Sequence, residues 1–155
     1  MEAMTVLRRC RNAEEDLRRI RQRIRQRREA MTGISGPSAD PAGGSRGSEP
    51  DKLGRMVADL DALERKLAAR EQARAVETAA ACVLLDGLPD LENRVLYRYY
   101  VRGESVPAVA KAMRYSEGYV RRIKARGERM MREVPAEAVA AALPAWYPAP
   151  ESAGK

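Results

Sequence analysis

Arg121 and Arg122 are neighbouring guanidinium groups four residues after the pair Glu117-Gly118 in the stretch YSEGYVRRIKARGERM (115–130). An arginine fork donates two parallel hydrogen bonds, the pattern that guanine accepts at O6 and N7, and each good pair discriminates by about 1–3 kcal/mol. A carboxylate such as Glu117 accepts from a cytosine amino group, and a glycine at 118 lets a helix approach a surface closely. The four residues act together only if they share a face. A helix with Val120 and Ile123 turned inward does this, since its phase leaves Glu117, Gly118, Arg121, Arg122 and Ala125 outward. Lys124, Arg126 and Arg129 lie further around or along that helix. With Arg98, Arg102, Arg114 and Ser116 they are candidates for contacts to phosphates.

The preceding residues supply the elements that position such a helix. LENRVLYRYYV (91–101) reads as a helix burying Leu91, Val95, Leu96 and Tyr99. Arg102-Gly103-Glu104 forms a turn, and Ser105 is placed to cap the next helix, SVPAVAKAM, whose Pro107 falls in the first turn where its missing N–H costs little. The inner face of that helix is Val106, Val109, Ala110 and Met113. A short turn at Arg114-Tyr115 leads to Ser116, the expected cap of the arginine-bearing helix, which continues inward through Met130 or Met131. Helix, short turn, capped helix with a small Ala at the crossing is the helix-turn-helix layout.

Two longer periodic stretches come first. Leu7, Cys10, Leu17, Ile20, Ile24 and Met31 recur at three- and four-residue steps, predicting a helix over 1–31. TGISGPSADPAGGSRGSEP (32–50) interrupts all periodicity with Gly, Pro and Ser and reads as a flexible loop. Leu53, Met56, Leu60, Leu63, Leu67, Ala81 and Leu84 then approach a heptad pattern over 51–86, weakened where Arg70, Arg74 and Glu77 occupy the same phase. An antiparallel hairpin within the chain covers both stripes, and pairing between two chains satisfies them equally. LDGLPD (85–90) ends the second helix, the helix-turn-helix occupies 87–133, and 134–155 reads as one short Ala-rich helix followed by a Pro-rich tail.

The 155 residues carry a net charge of +7, contain no His and no Phe, and have a single Trp. Basic charge concentrates in two places: residues 1–31 hold ten Arg against five acids, and residues 88–133 hold eleven Arg or Lys against six. Scarce aromatics with abundant Ala, Leu, Arg and Glu point to an all-α chain, and the charge to a polyanionic partner. With no His, no Gly-rich phosphate loop and no nucleophile elbow, neither an enzyme nor a metal or cofactor site is expected. Cys10 and Cys82 lack CxxC spacing and read as reduced seam residues. No apolar run is long enough to span a bilayer and no signal-peptide pattern opens the chain, so a cytoplasmic protein without a membrane partner is expected.

LENRVLYRYYVRGESVPAVAKAMRYSEGYVRRIKARGERM resembles the region 4 domain of bacterial sigma factors, in its Arg-containing first helix, Gly turn, capped helix with Val-Ala, and Ser-led recognition helix. The helical hairpin ahead of it is similar to that of phage and prophage regulators of the RinA/ArpU type. The resemblance implies transcriptional control of phage genes, with positions 117, 118, 121 and 122 where region 4 domains touch promoter DNA. This chain departs from the family at Gly118, where an acid is common, and at Gly127, where Ala is common and Gly costs up to about 1 kcal/mol of helix propensity. No segment resembles region 2, so a complete sigma factor is not expected.

The overall expectation is therefore an all-α chain: a coiled-coil-like antiparallel hairpin, then a small helix-turn-helix of the sigma region 4 type. It would bind double-stranded DNA as a sequence-specific regulator, an activator above all, with RNA polymerase and a second copy of the chain as candidate partners. The competing class is a coiled-coil adaptor, serving polymerase or DNA packaging, without sequence readout. LRRIRQRIRQRR (17–28), with seven arginines in twelve residues, fits a solvated helix face better than a dedicated nucleic-acid arm. Tyr97, Tyr99 and Tyr100 read as packing residues rather than base-stacking ones. Trp146 and Tyr147 among prolines suit docking on a partner or on the protein's own hairpin, and the second is the expectation. The helix-turn-helix, about 45 residues, is too small for an ample core and should lean on the hairpin or on a second chain.

Overall fold

The computed structural model describes residues 1–34 and 49–147. Most of the expected 32–50 loop and the end of the tail lie outside them. Among the described residues every regular element is helical: α1 (Ala3–Ile34), α2 (Glu49–Leu85), α3 (Asp90–Leu96) continued by a π-helical turn (Tyr97–Val101), α4 (Val106–Met113), α5 (Glu117–Arg132) and α6 (Ala136–Ala142). The chain divides into two compact units, one of residues 15–71 and one of residues 1–14 with 72–155.

Within 15–71, parts of α1 and α2 run antiparallel, as ion pairs that match rising with falling numbers show: Asp16–Arg70 at 3.4 Å and Arg28–Glu64 at 2.8 Å. Leu17, Ile20 and Ile24 are buried on α1, and on α2 Met56 is buried with Leu60, Leu63 and Leu67 half-buried. Leu53, expected in the same stripe, is exposed. The pairing is thus within one chain. Arg70, an apparent defect in the α2 stripe, is matched by Asp16 across the seam.

The other unit has two apolar clusters. The first joins Met4, Val6, Leu7 and Cys10 of α1 to Ala80, Ala81, Leu84 and Leu85 of α2, with Leu96, Tyr100, Met131 and Val139 from the C-terminal helices. The second is small: Val95, Val109, Ala110, Val120 and Ile123, flanked by Leu91, Val106 and Met113. The helix-turn-helix therefore buries its own few side chains on one side and rests Leu96, Tyr100 and Met131 on the start of α1. Arg11 adds polar contacts to the same junction, donating to the carbonyls of Tyr99 and Glu104 with its guanidinium 3.7 Å over the Tyr99 ring.

Tyr100 is buried, whereas Tyr99, expected in the core, is only half-buried. The cause is the π turn. Arg102 N–H bonds back to Tyr97 O at 3.1 Å, across five residues instead of four, and the wider turn delays the phase of each residue on it.

Polar residues in the α2 stripe are again paired. Arg74 meets Glu14 at 2.6 Å, and Glu77, 2% exposed, accepts from the Tyr147 hydroxyl, which itself accepts from Arg9 at 2.7 Å. Tyr147 thus docks on the start of α1 and the end of α2 as expected, while Trp146 remains 54% exposed.

Gly127 has a packing role that helix propensity alone does not reveal. A Cβ there would stand 2.9 Å from Leu96 Cδ1 and 3.3 Å from Glu92 Cβ, and Leu96 is wholly buried with little room to yield. At Gly118 a Cβ would meet nothing within 4 Å. The two alanine substitutions should therefore differ in sign. Gly118→Ala is expected to stabilise by up to about 1 kcal/mol through propensity. Gly127→Ala gains the same term but meets an overpacking cost of about 1–3 kcal/mol, for a net loss. Urea denaturation of both variants checks this, and equal stabilisation would contradict the close approach of α5 to α3.

Candidate nucleic-acid interface

The bihelical unit is built by its caps. Ser105 Oγ accepts from Ala108 N–H at 3.2 Å and opens α4, with Pro107 in the first turn. Arg114 closes α4 in the left-handed region at φ 61°, and Tyr115 N–H bonds back to Ala110 O at 3.0 Å. Ser116 Oγ then accepts from Tyr119 N–H at 3.2 Å and opens α5. Gly103, at φ 72°, turns the chain between the π turn and α4, a conformation that suits glycine.

Val120 and Ile123 are fully buried against Val109 and Ala110. Their burial fixes the rotation of α5. Glu117, Gly118, Arg121, Arg122 and Ala125 all stand exposed on its opposite side, at the N-terminal half. The four candidate base-reading residues are brought together there. Arg121 is lightly tethered to Glu117 at 3.3 Å, and Arg122 Nε donates to Gly118 O at 3.4 Å. Exposed i,i+4 pairs of this kind contribute only about 0.3–0.5 kcal/mol, so both forks can be redirected to a ligand at small cost.

The seven phosphate candidates separate into two groups. Arg102, Arg114, Ser116 and Arg129 are exposed, Arg102 lying 3.6 Å from Glu104. Arg98, Lys124 and Arg126 each contact a carboxylate of the same unit. Arg98 reaches both oxygens of Glu104 at 3.1 and 3.2 Å. Arg126 lies 2.8 Å from Glu92, a carboxylate buried under α5. Lys124 lies 2.7 Å from Glu128 and 4.4 Å over the Tyr99 ring. Sequence periodicity gave these three cations a surface position. Arg98 and Lys124 are half-buried by these contacts, whereas Arg126 stays exposed while reaching Glu92.

Glu128 joins α5 to the π turn, accepting from Tyr100 at 2.7 Å as well as from Lys124. Burial pushes its carboxyl up, but the hydrogen bonds from Lys124 and Tyr100 outweigh that, and its pKa lies below the ordinary value. The Tyr100 hydroxyl is pushed well above its ordinary range by burial, then by the bond to Glu128. A carboxylate with a depressed folded pKa contributes stability above its unfolded pKa, and this is lost as pH falls through the folded value. Glu128→Gln should accordingly lower stability at neutral pH and flatten its decline below about pH 4.5, near the unfolded carboxylate range. Thermal melts from pH 7 to pH 3 check this, and an unchanged pH slope would contradict the role.

One exposed feature escaped the sequence reading. Tyr115 and Tyr119 form an edge-to-face pair with centroids 5.0 Å apart, and both are exposed beside the Ser116 cap. Their i,i+4 spacing across a capping serine was the available signal.

Residues 84–133 match the family model described as Sigma-70, region 4. The segment is a sigma region 4-like helix-turn-helix. The match opens at Leu84, in the last turn of α2, and closes at Glu133, the C-cap of α5. The region 4-like unit thus includes Leu84 and Leu85, which share a cluster with the start of α1. No curated protein and no solved structure matches the chain. No helix among the described residues is long and apolar enough to cross a membrane.

Proposed function

We propose that the chain binds double-stranded DNA in a sequence-specific manner by laying the N-terminal half of α5 in the major groove. The supporting observation is the burial of Val120 and Ile123 against α4, with Arg121 and Arg122 side by side on the exposed edge. In this reading Arg121 and Arg122 address guanines, Glu117 receives a cytosine amino group or orients Arg121, and Gly118 allows the close approach. Arg102, Arg114, Ser116 and Arg129 hold phosphates. The Tyr115–Tyr119 pair offers an aromatic edge beside them.

The role we infer is transcriptional regulation, and specifically activation of phage or prophage genes in the manner of RinA/ArpU-type regulators. A helical hairpin ahead of a region 4-like unit supports that placement. Selection of duplexes from a random pool at two salt concentrations tests it. A converged motif that persists at the higher salt is expected, and enrichment without convergence would leave phosphate attraction as the only interaction.

A further inference from the structure

The seven arginines of residues 17–28 are unevenly placed on unit 15–71. With Leu17, Ile20 and Ile24 in the seam, the turn of about 100° per residue puts Arg21, Arg25 and Arg28 on one flank of α1, and Arg19, Arg23 and Arg27 on the other. The first flank is neutralised. Arg21 meets Glu71 at 3.0 Å, Arg28 meets Glu64 at 2.8 Å, and Glu29 lines the same groove.

The second flank is not. Two adjoining grooves along it are lined by Arg19, Arg23, Arg27, Lys66 and Arg70, with Asp16 and Asp59 as the lining acids. Asp16 pairs with Arg70, and Glu15 with Arg19 at 2.7 Å. Among the described residues no acid pairs with Arg23, Arg27 or Lys66. Paired cations occur on both flanks, and among the described residues Arg25 is unpaired on the first, but only the second brings three cations, Arg23, Arg27 and Lys66, together along one groove without an acid partner.

We propose that the Arg23/Arg27/Lys66 flank is a second nucleic-acid contact surface, one that binds the sugar-phosphate backbone of duplex DNA without reading sequence. Arg19, Arg23 and Arg27 rise about 6 Å per four-residue step, a row of about 12 Å. A duplex strand presents one charge for roughly every 3.4 Å of axis, so such a row spans several phosphates. The choice of duplex over other polyanions rests on the reading of α5 as a major-groove helix. The positive charge of the row does not.

The test uses the full chain and a fluorescent duplex of arbitrary sequence, with anisotropy measured from low to high salt. Arg23→Gln/Arg27→Gln is compared with Arg18→Gln/Arg25→Gln, which removes equal charge from outside the row. Circular dichroism confirms that both remain helical. The first variant should lose roughly tenfold or more in affinity at low salt, and about two from the slope of log K against log salt. The second should change little. Equal losses in the two would mean diffuse attraction and would overturn the site. Tighter binding of single-stranded RNA, with the same dependence on Arg23 and Arg27, would overturn the assignment to duplex. If Arg121→Ala/Arg122→Ala leaves sequence selection intact while the Arg23/Arg27 effect persists, the reading of α5 fails and the flank stands.

Discussion

Arg121→Ala/Arg122→Ala is expected to abolish discrimination among duplexes while leaving the fold intact. Both side chains are exposed, and their removal leaves the buried edge of α5 untouched. Each guanidinium fork that addresses a guanine is worth about 1–3 kcal/mol of discrimination, so the double variant should lose roughly fivefold to 150-fold of preference if one fork engages, and the product of two such factors if both do. Non-specific affinity should fall far less, because Arg102, Arg114 and Arg129 remain. Competition between selected and scrambled duplexes reads the ratio directly. A variant that kept its preference would place the readout elsewhere and favour an adaptor role for the chain.

The second large effect lies far from α5 in sequence. Leu7→Ala is expected to destabilise the region 4-like unit by about 2–5 kcal/mol, the usual range for truncating a fully buried leucine. Leu7 belongs to the cluster that holds Leu96, Tyr100 and Met131, so a hole there loosens the junction on which α3 and α5 rest. The second cluster contains only five buried residues, two of them on α4 and two on α5, and a core of that size is marginal by itself. Urea denaturation followed by tyrosine emission, which arises mainly from the five tyrosines between Tyr97 and Tyr119, with Trp146→Phe as background, should show the loss. An unaffected helix-turn-helix would mean that it folds without α1.

The elements nearest the proposed interface were the most legible. Ser105, Pro107 and Ser116 announce helix starts through local chemistry, and Val109, Val120 and Ile123 announce the buried face through spacing, so the exposed edge of α5 followed from phase alone. Long-range partners were not legible. Gly127 looked like a helix-weakening residue because nothing local says that Leu96 passes 2.9 Å from its missing Cβ. Arg70, Arg74 and Glu77 looked like defects in a stripe, yet each finds its opposite charge or a hydroxyl across the seam. The Arg126 partner was not legible because Glu92 is brought beside it only by the packing of α5 on α3, whereas the Lys124–Glu128 pair is an i,i+4 contact within α5 and only the Tyr99 ring beneath Lys124 is distant in sequence. Tyr100 replaced Tyr99 in the core because one π turn shifted the phase, and periodicity assumes an unbroken α-helix.

The most direct measurement is methylation interference on a selected duplex. Methyl groups at guanine N7 project into the major groove and block the acceptor that an arginine fork uses. With α5 in the major groove, such methylation at one or two guanines prevents binding by the natural chain, and Arg121→Ala/Arg122→Ala becomes indifferent to it. Interference confined to minor-groove positions, or a guanine N7 effect unchanged in the double variant, would contradict the placement of α5 in the major groove.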